Sequence, residues 1–244
     1  MLSKSQVKYI QSLGQKKFRD ETGLFISETP KILDDLLKDC PAQIVDVFAL
    51  PGWIKAHPAI QSTFRVTEIA ESDLSKISSL TTPNTVLAVV KKMPGDREVS
   101  AKGTVLIALD KIQDPGNLGT IIRIADWFGL NQIVCSPDCA DCFSPKAVQS
   151  TMGSIARVKV SYTDLPAWIA AQKDIRVFAA SLEGRDVAQV AKISEGILVI
   201  GNESKGISEA VMAYCNVRVT IPRRGKAESL NAAVATGIIL SHLL

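Results

Sequence analysis

The sequence predicts an α/β protein with a parallel β-sheet in its C-terminal part and a smaller α/β domain before it. Residues 104–244 hold apolar, β-branched runs separated by helical patterns, which is typical of a parallel sheet covered on both faces. Residues 1–92 alternate shorter apolar runs with amphipathic stretches. Residues 93–103 combine proline, glycine and charge, which indicates a linker between the two domains.

Composition narrows the class of protein. The chain has 244 residues, of which 46% are apolar and 22% charged, and this balance excludes disorder, collagen or coiled coil for the whole chain. The net charge of +3 is too small to indicate a nucleic-acid partner, so any such signal must come from local clusters. We find no signal peptide, and residues 230–244 are too short and too interrupted to span a bilayer. The five cysteines suit a reducing cytoplasm, and no membrane partner is expected.

The first domain is predicted to contain four strands and two helices. The strands are expected at 24–27, 44–50, 63–70 and 85–92, and the helices at 29–40 and 70–80. Ahead of them, Lys16, Lys17 and Arg19 cluster around Phe18. They are candidate RNA contacts, and a solvated face of an amphipathic helix is the open alternative.

The second domain is predicted to contain five parallel strands. They are expected at 104–110, 132–136, 177–181, 197–203 and 217–222. Ligands of open α/β sheets bind beyond the carboxyl ends of the strands. Three of these junctions are unusually polar and rich in glycine, so we expect the functional site there.

The first junction leads from the strand at 104–110 into a helix. Asn117 is expected to cap this helix. Arg123 lies away from the apolar stripe formed by Ile121, Ile124 and Ala125, and it follows Asn117 by about 9 Å along the axis. Both side chains could reach one ligand at the start of the helix; a capped helix with an exposed arginine is the alternative.

The second junction is the segment 198–208. Gly201 permits close backbone approach, Glu203 lies just past the strand, and Ser208 is a candidate helix cap. The P-loop and GxGxxG patterns are both absent from the sequence, which argues against a dinucleotide. An ordinary strand-to-helix turn is the alternative.

The third junction is the segment 221–240. Its basic loop suits phosphate contacts, although a solvated loop would look the same. Ser229 and Asn231 are expected to open the last helix. The cations of the loop are Arg223, Arg224 and Lys226.

Together, these junctions resemble the three sequence motifs of the SpoU (TrmH-type) RNA ribose 2′-O-methyltransferases of the SPOUT superfamily. The first motif matches at Asn117 and Arg123, separated by five residues. The second and third match at Gly201-Asn202-Glu203 with Gly206, and at Ile221-Pro222 with Ser229-Leu230-Asn231-Ala232-Ala233. The first segment resembles, more weakly, the small substrate-binding domain often found ahead of this catalytic domain.

The resemblance implies a deep trefoil knot in the C-terminal domain, S-adenosylmethionine as methyl donor, and attack of a ribose 2′-hydroxyl on its methyl group. It also implies a homodimer whose substrate site is completed across the interface, and ribosomal RNA is favoured over transfer RNA. Catalytic roles fall to Arg123, Asn117, Glu203, Ser229 and Asn231. Donor contacts fall to Leu182, Gly184, Gly201, Asn202, Ile221, Leu230 and Ala233, and Lys146 joins the RNA contacts.

Arg123 is assigned as the group that assists the hydroxyl. An arginine is very hard to deprotonate, so stabilising the alkoxide and anchoring a phosphate is physically easier than acting as a base. A pairing of Arg123 with Glu203 would favour this role. Two other functions stay open at this point: an RNA-binding protein with a vestigial donor site, and a SPOUT enzyme that methylates a base.

Several residues depart from the family pattern or carry no assigned role. Gln149 stands where many relatives have an arginine, and Glu28-Thr29-Pro30 replaces a Glu-Gly pair after the first strand. The first departure removes a candidate phosphate contact, and the second indicates that the first domain binds a different RNA element or binds it differently. No metal is expected, because Cys135, Cys139 and Cys142 have no evident fourth ligand. The three tryptophans are expected to serve in packing, with base stacking as the alternative: Trp53, Trp127 and Trp168.

Overall fold

The structure is a computed structural model that describes residues 2–93, 95–96 and 98–244. Within the predicted linker 93–103, Pro94 and Arg97 lie outside the described residues. The chain divides into two compact units: residues 1–93 together with 141–157, and residues 94–140 together with 158–244. Segment 141–157 thus groups with the first unit although it lies inside the predicted range 104–244. The domain ranges 1–92 and 104–244 stay a prediction.

The first unit contains a four-stranded sheet of order β1-β4-β2-β3, in which β2 and β3 are parallel and the other pairs antiparallel. Its core is formed by apolar residues of β1, β2, β4, α1 and α6, such as Ile10, Phe48 and Leu87. Its elements are α1 (Lys4–Ser12), α2 (Lys16–Thr22), β1 (Leu24–Ser27), α3 (Pro30–Asp39), β2 (Ile44–Ala49), α4 (Pro51–Ala56), α5 (Ile60–Thr63), β3 (Val66–Glu68), α6 (Glu71–Ile77), β4 (Val86–Lys91) and, from the later segment, α8 (Pro145–Thr151).

The atypical Glu28-Thr29-Pro30 segment starts helix α3. The Thr29 side chain accepts a hydrogen bond from the backbone of Ile32, and Pro30 occupies the first turn, where its missing N–H costs nothing. The Glu28 carboxylate is buried and accepts hydrogen bonds from Ser78 and Ser79. Glu28 therefore holds the turn after α6 and is not a free surface carboxylate.

The second unit contains a six-stranded, fully parallel sheet of order β10-β8-β9-β5-β6-β7. The predicted α/β class with a parallel sheet is confirmed. Its elements are β5 (Val105–Asp110), α7 (Pro115–Trp127), β6 (Gln132–Cys135), β7 (Lys159–Tyr162), α9 (Leu165–Ala171), β8 (Val177–Asp186), β9 (Gly196–Gly201), α10 (Glu209–Met212), β10 (Val217–Thr220) and α11 (Ala232–Leu243).

Helices cover both faces of this sheet. Alternate strand residues such as Leu106 and Val199 pack with Leu165 and Ile169 of α9 and Val211 of α10. On the other side, α7 and α11 pack against each other, α7 contacts β6, and α11 contacts β9. The strands are therefore buried on both faces, which explains their continuous apolar runs.

Two edge strands differ from the sequence prediction. Strand β7 was not predicted, because only Val160 of its four residues is buried and they form no continuous apolar run. The strand predicted at 63–70 is reduced to Val66–Glu68, and Ile60–Thr63 before it forms helix α5. Among the helices of the described residues, none is long and apolar enough to cross a membrane.

Candidate active site

A cavity of about 720 Å³ lies at the carboxyl ends of three adjacent strands, β8, β9 and β10. It is lined by the segments that follow these strands and by part of α11. Five predicted donor contacts and two predicted catalytic residues lie on its wall: Leu182, Gly201, Asn202, Ile221, Leu230, Glu203 and Ser229. The sequence did not single out the apolar wall formed by Ile200, Ile207, Met212 and Ile239.

The loop after β9 folds back sharply on Gly201. Asn202 and Gly206 form an isolated β-bridge, with backbone hydrogen bonds of 3.0 and 2.8 Å in the two directions. A Cβ atom on residue 201 would lie 2.3 Å from the carbonyl carbon of Gly206 and from the nitrogen of Ile207. Glycine is therefore required at 201 because the returning loop occupies the space of a side chain.

Asn202 and Asp110 fasten this loop to the end of β5. The Asn202 Nδ2 donates to the carbonyl of Lys111 at 2.9 Å, while its Oδ1 accepts from the backbone of Ser204 and Lys205. The buried Asp110 carboxylate accepts from the backbone of Ser208 at 2.7 Å. Ser208 occupies the cap position of α10 but makes no side-chain capping bond. Asn202 therefore shapes the cavity wall through its own hydrogen bonds.

Asn117 joins the first, second and third motifs through its side-chain amide. Its Nδ2 donates to Glu203 Oε1 at 2.7 Å, and its Oδ1 accepts from Asn231 Nδ2 at 2.8 Å. The Asn231 Oδ1 in turn accepts from the backbone of α11, at residues 233 and 234. This line of donors and acceptors gives each amide a single orientation. It lies between β5 and β9, where the order of the strands changes direction: β6 and β7 follow on one side of β5, and β8, β9 and β10 lie on the other.

Asn117 is not the cap of α7, and that part of the prediction is wrong. The cap is Asp114, whose carboxylate accepts from the backbone of Asn117 at 2.8 Å, with Pro115 in the first turn. Because the Asp114 carboxylate accepts the hydrogen bond from the backbone N–H of Asn117, the Asn117 side chain is available to bridge Glu203 and Asn231.

Arg123 is exposed on α7, as its position outside the apolar stripe predicts. It does not line the donor cavity, and within the described part of the chain no ion pair joins it to Glu203. The Arg123–Glu203 pairing that the sequence left open is thus not formed, and Glu203 Oε1 accepts a hydrogen bond from Asn117. Arg123 is therefore exposed at the surface and outside the lining of its own cavity.

Two predicted donor contacts do not reach the cavity. A Cβ atom on Gly184 would lie 2.7 Å from the backbone of Arg218, so this glycine permits close packing of β8 on β10. There the register of β8 jumps from Ala179 to Arg185, and residues 180–183 of the skipped segment line the cavity. Ala233 is buried in α11, and Ala232 and Ala235 line the cavity instead.

Of the predicted RNA contacts in the N-terminal region, Arg19 is wrong. It is 2% exposed, and its Nε and Nη2 donate to Asp141 Oδ2 at 2.9 and 2.7 Å while Nη1 donates to the carbonyl of Leu13. This side chain fixes segment 141–157 within the first unit. Lys16 and Lys17 are exposed, and Lys17 makes only a long contact of 3.9 Å with Glu21.

The Arg19–Asp141 pair yields a prediction about stability. Arg19→Ala is expected to lower the free energy of unfolding by about 3–5 kcal/mol, since it leaves a carboxylate uncompensated in a buried site. The control Lys17→Ala removes an exposed pair and should cost less than about 1 kcal/mol. Chemical denaturation measures both values. Equal stability of the two variants would contradict the structural role of Arg19.

The remaining predicted RNA contacts are exposed. Lys146 lies on α8 near the exposed Gln149, and both group with the first unit. Arg223, Arg224 and Lys226 are exposed in the loop after β10, and the two arginines also line the cavity. Their availability to RNA stays a prediction.

The remaining residues considered from the sequence are the cysteines and the tryptophans. Cys139 lies next to the turn after β5. Hydrogen bonds from Cys135, and also from Ser136 and backbone N–H groups, lower the pKa of its thiol to about 7, although burial by itself raises that pKa. No cluster of metal-ligating residues occurs in the part of the chain that the structure describes. Trp53 and Trp168 are buried or half-buried, as expected, but Trp127 is 85% exposed, so its predicted packing role is wrong.

Family models match both parts of the chain. Residues 104–241 match the SpoU rRNA methylase family, and residues 4–88 match the MRM3-like substrate binding domain. The first match covers more than half of the chain and contains all three motifs. The second confirms the expectation of an N-terminal substrate-binding domain.

Individual proteins match over nearly the full length. The chain is 30% identical to the 23S rRNA (guanosine(2553)-2′-O)-methyltransferase RlmP of Bacillus subtilis over 98% of this chain and 95% of that protein. It superposes on an AdoMet-bound rRNA methyltransferase from Sinorhizobium meliloti with a TM-score of 0.88 at 31% identity, covering 100% and 95% of the two chains. The AdoMet complex of the SpoU methyltransferase AviRb from Streptomyces viridochromogenes gives 0.85 at 25% identity, covering 99% and 97%.

Proposed function

Because the chain belongs to the SpoU rRNA methylase family, we propose that it transfers a methyl group from S-adenosylmethionine to a ribose 2′-hydroxyl of ribosomal RNA. Methyl transfer to RNA and the use of this donor follow from family membership. Ribosomal RNA is carried over from the relatives, which include the 23S rRNA enzyme of Bacillus subtilis. The observation that supports the residue roles is the hydrogen-bonded line Asn231–Asn117–Glu203, which joins all three motifs beside the cavity.

The cavity fits S-adenosylmethionine in size and chemistry. Its volume of about 720 Å³ lies within the usual range for small-molecule sites. The apolar side chains of Ile200, Ile221 and Leu230 suit an adenine ring, while charged groups at the rim suit a zwitterionic amino acid. When bound, the donor supplies an electrophilic methyl group on a sulfonium. Gly201 keeps the β9 loop close to the strand, so that backbone groups rather than side chains face the ligand.

Arg123 serves as stabiliser of the reacting oxygen and anchor of a phosphate. Methyl transfer would replace the carbon–sulfur bond of the donor by a carbon–oxygen bond and release the hydroxyl proton to water, and the fixed positive charge of Arg123 would lower the energy of the developing alkoxide. A role of arginine as base would require strong desolvation, whereas the Arg123 side chain is exposed. Asn117 and Asn231 fix the positions of Glu203 and of the start of α11 around the reacting oxygen.

A homodimer completes the proposal. Helix α11 is apolar nearly all round, and one side packs on α7 and β9 while Val234 remains 50% exposed. A helix of this kind is normally covered on every side, so a second copy of the chain suits its exposed face. Since Arg123 does not line the cavity of its own chain, it serves the cavity of the partner subunit. The trefoil knot and the reducing cytoplasm also remain part of the proposal; all five cysteines are free thiols.

The experiment that tests this function is transfer of a labelled methyl group to separate transcripts of 23S rRNA, 16S rRNA and transfer RNA. We expect label in 23S rRNA, in a nucleotide whose 3′ linkage resists alkali because the 2′-oxygen is methylated. Label in a base would support base methylation instead, and label in transfer RNA alone would contradict the proposed substrate. Donor binding by calorimetry without transfer to transcripts or to ribosomal subunits would indicate an RNA-binding protein.

A further inference from the structure

The three cations of the loop after β10 occupy two different positions relative to the donor cavity. Arg223 and Arg224 line the cavity, whereas Lys226 does not. The sequence makes all three candidate contacts of RNA phosphates, because a run of cations does not reveal which side chains border a cavity. The structure therefore separates two cations that can meet the donor from a neighbour that cannot.

The charges on the cavity wall match those of the donor. S-adenosylmethionine combines an adenine ring and a sulfonium with an amino acid that has one ammonium and one carboxylate. The two positive groups suit the carboxylates of the wall, which are Glu183, Glu203 and Glu228. The carboxylate of the donor requires a cation, and the wall offers Lys205, Arg223 and Arg224.

Arg223 is the cation that best suits a carboxylate. An arginine presents a planar fork that binds two carboxylate oxygens at once, whereas a lysine is a point charge on a flexible stem. The Arg223 Nη1 donates to the carbonyl of Ala227 in a long hydrogen bond of 3.4 Å, and Ala227 lines the same cavity. This bond uses one of the five guanidinium N–H groups and leaves four for a ligand. It also holds the side chain beside the cavity, which reduces the entropy lost on binding.

We propose that Arg223 binds the carboxylate of the donor's amino acid, and that it serves the donor cavity instead of an RNA phosphate. The proposal rests on the proposed function, since it names a contact of the same methyl donor. The contact lies on the cavity wall. It therefore does not depend on whether the outer surface of the loop is free or covered by a partner subunit.

The test is calorimetry on the full-length protein with two ligands that differ by one group. Arg223→Ala is expected to weaken binding of S-adenosylmethionine about 10- to 100-fold, the usual effect of losing a hydrogen bond to a charged group. Decarboxylated S-adenosylmethionine lacks only the carboxylate, so the wild type and Arg223→Ala should bind it equally well. Arg223→Lys keeps the charge but loses the fork, and its affinity for the complete donor should be intermediate.

The matched control is Lys226→Ala, which removes a cation from the same loop but outside the cavity lining. It should bind both ligands with wild-type affinity. Filter binding of a 23S rRNA transcript should fall no further in Arg223→Ala than in this control. Equal losses of affinity for both ligands in Arg223→Ala would indicate a disturbed cavity and overturn the proposal. Weaker RNA binding with unchanged donor affinity would overturn it as well, because Arg223 would then be an RNA contact.

The contact and the proposed function can fail separately. If the loss of affinity depends on the carboxylate but the wild type transfers no methyl group to any RNA, the contact stands and the proposed function fails. If the wild type methylates 23S rRNA and Arg223→Ala binds the complete donor normally, the proposed function stands and the contact is wrong.

Discussion

Arg123→Ala is expected to reduce methyl transfer by about 10²- to 10³-fold, the usual cost of removing a group that stabilises a developing oxyanion. Donor affinity should stay at the wild-type value, because Arg123 does not line the donor cavity of its own chain. Single-turnover transfer of labelled methyl measures the rate, and calorimetry measures donor binding. The control Arg176→Ala removes an exposed arginine at the amino end of β8, away from the carboxyl ends of the strands, and should be nearly as active as the wild type.

The chemical role of Arg123 can be separated from a general effect of charge. Arg123→Lys keeps the charge but loses the planar fork, so we expect activity between the wild type and Arg123→Ala. A rate for Arg123→Ala close to the wild type would exclude Arg123 from the reaction. A large loss of donor affinity in the same variant would indicate that the loss of activity arises from a disturbed cavity.

Gly201→Ala is expected to abolish measurable donor binding and, with it, activity. The added methyl group would lie 2.3 Å from two backbone atoms of the returning loop, and backbone cannot rotate away as a side chain can. The loop from 202 to 207 must therefore shift, and most of its residues form the cavity wall. The matched control is Gly225→Ala, which lines the same cavity but has open space around its Cβ, so donor affinity should be retained.

Circular dichroism and thermal unfolding should accompany the donor titration of these variants. A folded Gly201→Ala protein that binds the donor normally would contradict the packing argument. A folded protein that has lost the donor but still binds RNA would support it, since the first unit carries its own hydrophobic core.

The two inactive variants together test the assembly. If Arg123 serves the partner's cavity, mixing Arg123→Ala with Gly201→Ala and allowing the subunits to exchange should restore about one quarter of wild-type activity. Half of the randomly formed dimers are mixed, and each mixed dimer holds one complete site of two. Absence of recovery, with mixed dimers detected by mass spectrometry, would place Arg123 and the donor cavity in the same subunit.

Periodicity and motif order were sufficient to predict much of the molecule. The strands at 24–27 and 104–110 and the helix at 29–40 agree with the structure to within a residue or two, because their apolar patterns are local and strong. The order and spacing of the three motifs placed the site at the carboxyl ends of parallel strands and indicated the family, which the family match confirms. The roles of the individual site residues stay predictions.

The weak elements were predicted less well, for a physical reason. Strand β7 lies at the edge of its sheet, and only Val160 among its four residues is buried. The pattern that reveals a buried strand is therefore missing there. Trp127 shows the opposite failure: residue type favoured the core, but the helix already buries another face.

The sequence by itself determined the fold class, the family and the donor, and it predicted, as donor contacts or catalytic residues, seven of the residues that line the cavity. Only the tertiary structure decided what those residues contact. Asn117 bridges partners 86 and 114 residues away, and Arg19 is withdrawn from solvent by a carboxylate 122 residues away. Propensity and periodicity report the preferences of neighbours in the chain, whereas a hydrogen bond or buried ion pair depends on which distant segments the fold brings together.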